Sequence, residues 1–78
     1  MPVEYVFSEH VSQRMAERGI RETWIARTLE NPDERWQDPL DDELTHAEKR
    51  SRDFGDRTVH VVYNAVDTPW LVVTVYLK

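Results

Sequence analysis

Apolar side chains near the N-terminus recur at helical spacing. Val11 and Met15 lie one turn apart, and beyond Ile20 the pairs Trp24/Thr28 and Ile25/Leu29 form a second stripe. Ser8 suits the cap of the first helix, with Glu9 in its first turn near the positive end of the helix dipole, and Gly19 suits the left-handed residue that ends it. The pattern predicts one helix from Glu9 to Arg18 and another from Glu22 to Glu30. The second stops at Asn31-Pro32, because proline denies its predecessor a comfortable helical geometry.

The second half of the chain changes period. Val59, Val61 and Tyr63 alternate with His60, Val62 and Asn64; Leu71, Val73, Val75 and Leu77 alternate with Trp70, Val72, Thr74 and Tyr76. Asn64 to Pro69 supplies a hairpin turn between them. Leu44 to Ser51 reads as a polar strand joined to the next by a turn around Gly55, and Arg35 to Gln37 as a short strand before an exposed loop. The expected fold class is α+β: a single domain over residues 1–78, with two N-terminal helices packed on one face of a three- to four-stranded antiparallel sheet. The expected core is Val11, Met15, Ile25, Leu29, Val61, Val73 and Val75.

Composition narrows the chemistry. The 78 residues contain no cysteine, which excludes disulfides, thiolate nucleophiles and zinc–thiolate sites and fits a reducing compartment. No apolar run approaches the length of a membrane span and no export signal is evident, so a cytoplasmic protein without a membrane partner is expected. The net charge of −5 is unevenly spread: Glu30 to Leu44 holds seven acids against Arg35 alone, while the flanking segments are close to neutral. That acidic stretch reads as a solvated linker or, in the alternative, as a shield for a neighbouring basic surface.

One basic feature stands apart. His10, Arg14 and Arg18 follow at four-residue intervals on the first helix and make a stripe suited to an anion. His10, His46 and His60 share no i, i+4 pair and no HExxH arrangement, so neither a metal nor any other cofactor is expected. His46 reads as an exposed strand residue and His60 as a partly buried one. Trp24 reads as core.

The chain resembles a family of small bacterial and phage proteins known as domain of unknown function 4258. The resemblance rests on F-S-E-H-x-x-x-R-M-x-E-R-G-I from Phe7 to Ile20, on L-E-N-P from Leu29 to Pro32, and on V-V-T-V-Y from Val72 to Tyr76. That family is similar to toxins of the RelE and BrnT type, whose helix-plus-sheet fold is associated with metal-independent ribonucleases. The resemblance implies a RelE-like fold, RNA or the ribosome as target, and an antitoxin or other protein as partner. It also implies a toxin-like ribonuclease or RNA-binding protein; the alternative is a non-catalytic protein-interaction module of the same fold. The chain departs from many such toxins in its acidic balance.

Metal-free RNA cleavage needs a proton acceptor for the ribose 2′-hydroxyl, a donor for the leaving oxygen, and positive charge on the phosphate. His10 suits proton transfer in both directions near neutral pH. Arg14 can present its planar fork to a phosphate, with Arg18 extending the contact. From the sheet, Thr74 is the candidate to position a phosphate oxygen, and Tyr76 and Arg50 are the candidates to bind substrate. In the competing reading these arginines pair with Glu17, Glu22 or Glu48, and Thr74 and Tyr76 are ordinary strand residues.

Overall fold

The computed structural model describes residues 4–78. The chain runs β1 (Tyr5–Phe7), α1 (Glu9–Arg18), α2 (Glu22–Glu30), β2 (Glu34–Gln37), β3 (Leu44–Ser51), a 3-10 turn (Arg52–Phe54), β4 (Arg57–Asn64) and β5 (Trp70–Leu77). Both helices keep the bounds that the apolar spacing predicts. The Ser8 side chain accepts from the Val11 amide at 3.2 Å, and Gly19, at φ 67°, returns its amide to the Met15 carbonyl.

The sheet corrects the expectation of three or four antiparallel strands. It has five, in the order β1-β5-β4-β3-β2, and it is mixed, because β1 pairs parallel with β5. Three residues are too few to establish a period, and a parallel partner from the far end of the chain leaves no local turn signal. β1 covers only the first part of β5. Ser8 continues the pairing through its amide to the Val72 carbonyl and its hydroxyl to the Val73 carbonyl. The start of α1 is thereby fixed beside the same strand.

The core lies between the helices and one face of the sheet. Val11, Ile25, Leu29, Ala47, Phe54, Val59, Val61, Tyr63, Val72 and Val75 are buried there, with Met15, Trp24 and Trp70 packed around them. Val73 is not among the buried residues. A bulge opposite Val62/Tyr63 pairs Val62 with Thr74 but Tyr63 with Val72, so Val73 is the unpaired extra residue and Val72 takes the inward position. The strict alternation expected for β5 therefore holds only after the bulge. Leu71 pairs with Asn64 and is 40 % exposed.

Candidate functional site on the open face of the sheet

On the face away from the core, a row of rings crosses the sheet. Trp36 of β2 pairs in register with His46 of β3, and His60 of β4 pairs with Tyr76 of β5. The Trp36 and His46 rings stack at 5.3 Å with an interplanar angle of 10°, whereas His46 meets His60 edge-on at 5.0 Å, and His60 meets Tyr76 edge-on at 5.7 Å. The guanidinium of Arg14 lies 5.6 Å from the centre of the Tyr76 ring. The row thus ends in a cation supplied by α1.

Every nitrogen of the two imidazoles is engaged. His46 Nδ1 lies 2.8 Å from His60 Nε2, His46 Nε2 lies 2.9 Å from Asp38 Oδ1, and His60 Nδ1 lies 2.9 Å from Glu48 Oε2. Glu48 is also paired with the Lys78 ammonium. Asp38 reaches this chain because its position just past β2 folds back over β3, and its second oxygen accepts from the Leu40 and Asp41 amides. These contacts have electrostatic consequences. The hydrogen bond to His46, ahead of those to the Leu40 and Asp41 amides, holds Asp38 below its ordinary carboxyl value. The Lys78 ammonium, with His60 behind it, does the same for Glu48 against the opposing effect of burial. Burial, reinforced by Lys78 and His46, holds His60 below the ordinary imidazole value even though Glu48 pulls the other way.

The residues proposed from the sequence fall in two places. His10 and Arg14 come together with Gln13 and Glu17 around a shallow depression of about 230 Å³ along α1. His10 is exposed; Arg14 is half-buried, and its Nε is buried without a hydrogen-bond partner. Among the described residues neither Arg14 nor Arg18 makes an ion pair, so the pairing with Glu17, Glu22 or Glu48 does not form. Arg18 is exposed and lies outside the depression. Two successive four-residue steps turn the side chain by about 80°, whereas offsets of three, four and seven stay on one helical stripe.

Tyr76 and Thr74 share the open face. Tyr76 is 45 % exposed beneath Arg14, and Thr74 lies beside Val62. Arg50 is on the same face of β3, two residues past Glu48 and paired with Thr58; its side chain is exposed while its amide donates to Asp33. The imidazole chain was not anticipated. His46 is partly buried and bonded on both nitrogens, in contrast to the exposed strand residue expected. The one signal in the sequence is the His46-x-Glu48 spacing, which puts both side chains on one face of a strand. Among the described residues no group of three or more histidines, aspartates or glutamates is arranged to hold a metal ion, and no helix is long and apolar enough to cross a membrane.

Comparison with known proteins returns one family model, Domain of unknown function (DUF4258), which matches residues 7–77. No curated protein and no solved structure matches the chain.

Proposed function

The chain belongs to the DUF4258 family, and we propose that it is a toxin-like, metal-independent ribonuclease or RNA-binding protein that engages RNA across the α1 end of the open face. The observation that carries this reading is Arg14: a guanidinium laid on an exposed tyrosine, in no ion pair among the described residues, beside an exposed histidine. A phosphate beside Arg14 would meet a planar fork of donors, and a neighbouring base would find Tyr76 to stack on. His10, one helical turn from Arg14, supplies the group for proton transfer. Thr74 stands next to Tyr76 along the same strand face, and Arg50 and Arg18 extend the positive charge at greater distance.

The RelE-like character of the fold belongs to the same proposal. Two helices against a small sheet agree with it, and fold likeness by itself carries no activity. A second reading, a protein-interaction module, has one observation in its favour: Leu40, in the acidic loop between β2 and β3, is 96 % exposed. Cleavage decides between them. The protein should cut single-stranded or ribosome-bound RNA in EDTA and leave 2′,3′-cyclic phosphate ends, with His10→Ala slowing the reaction by about 10²-fold or more. Cleavage that requires a divalent metal, or that proceeds unchanged in His10→Ala, refutes the mechanism.

A further inference from the structure

Three contacts link Asp38, His46, His60 and Glu48, and each requires one hydrogen. Two neutral imidazoles bring two. If these face the carboxylates, the nitrogens between the rings meet lone pair to lone pair at 2.8 Å. If one turns inward, a carboxylate faces a lone pair instead. A third proton closes the chain: both carboxylates accept, and one imidazole donates to the other. A fourth would set N–H against N–H.

We infer that His46 and His60 form a site for a single dissociable proton held between Nδ1 and Nε2, and that its occupancy sets how well the open face accepts a polyanion. The second half rests on the RNA reading above. The proton cannot come from the carboxylates, because both are held in their ionised form by these same contacts. Burial opposes a charge on His60, against the pull of Glu48. A metal ion fits the gap poorly: two nitrogens bound to one tetrahedral zinc stand about 3.4 Å apart, against the 2.8 Å found here.

The charge balance explains the coupling. The groups facing the pair are Asp38 from the loop after β2, Glu48 from β3, Tyr76 from β5 and Lys78 just beyond it, with Arg14 of α1 over the far side of Tyr76; farther along the same face Glu34 of β2, in register with Glu48, and Arg50 of β3 carry opposite charges. With the proton bound, two carboxylates are matched by one ammonium and one imidazolium. Without it, the centre of the face carries an unmatched negative charge on the side of Tyr76 opposite Arg14. Phosphates near Arg14 are then repelled, so polyanion binding and proton uptake reinforce each other.

The test uses the full chain with ring-labelled histidine, followed by nitrogen NMR across the imidazole range. His46 and His60 should titrate in one joint step that takes up one proton, and His46→Gln should abolish the joint step. In a His10→Gln background, which removes the third histidine of the chain, a 2′-O-methyl single-stranded oligonucleotide should bind several-fold tighter below that step than above it. The added His46→Gln change should flatten this dependence. Two independent uptakes, one per ring, in the folded protein overturn the proton site. A joint step with pH-independent binding overturns the coupling. A joint step with no oligonucleotide binding at any pH by the chain that retains His10 overturns the RNA reading and the coupling with it, and leaves the proton site standing.

Discussion

His46 and His60 are joined ring to ring across the β3–β4 hairpin, Nδ1 to Nε2 at 2.8 Å, and each is turned by a carboxylate on its opposite nitrogen. This contact sits midway between Trp36 and Arg14 in the row that crosses the open face. Asp38, Glu48 and Lys78 converge on it.

Acid should destabilise the protein in two stages. His60 is held below its ordinary value of 6.5, so as pH falls through that value the unfolded chain takes up a proton that the folded chain refuses, and stability declines. One refused proton corresponds to a slope of up to about 1.4 kcal/mol per pH unit. Glu48 and Asp38 are depressed from 4.5 and 3.8 respectively; the stability they contribute is present above those values and is lost as pH falls through their lower folded-state values. Urea unfolding followed as a function of pH reads both stages, and a stability that stays level from neutral pH to 5 contradicts the first.

Substitution of Arg14 separates charge from shape. Arg14→Ala removes the cation over Tyr76 and should weaken binding of single-stranded RNA by roughly tenfold, the loss of about 1.4 kcal/mol expected for one charge-assisted phosphate contact. Arg14→Lys should restore only part of it, because an ammonium cannot present two parallel donors or lie flat on the ring. Full rescue by lysine would mean that only net charge matters at this position.

Much of the architecture was legible from side-chain period alone. Helix bounds at Glu9, Arg18, Glu22 and Glu30 followed from apolar spacing and from the signals at Ser8, Gly19 and Pro32, because these act within one or two turns of chain. β1 was not legible, since its partner lies some sixty-five residues away in sequence, as the Tyr5–Trp70 pairing shows. Nor was the bulge, which reverses the facing of β5 residues before it without marking the local pattern. Of the open face, Thr74 and Tyr76 could be assigned to one side of a strand. The imidazole chain could not, because it depends on the β3–β4 register that sets Glu48 opposite His60 and on a loop that returns Asp38 to His46.

The bulge makes adjacent valines unequal. Val72 is fully buried and Val73 only partly. Val72→Ala should cost about 2 kcal/mol from the lost methyl groups and the cavity they leave, and Val73→Ala distinctly less. Chemical denaturation of the two variants measures the difference. Equal costs, or a greater cost at Val73, would place the register shift elsewhere.

The RNA reading is tested most directly by titrating a non-cleavable 2′-O-methyl single-stranded oligonucleotide into nitrogen-labelled protein and recording which amide and side-chain signals move. The prediction is saturable shifts centred on His10, Arg14, Thr74 and Tyr76, spreading to His60 and His46, with the α2 surface and the acidic loop unaffected. No saturable shift at any ratio, or shifts confined to the Asp38–Glu43 loop, would contradict it.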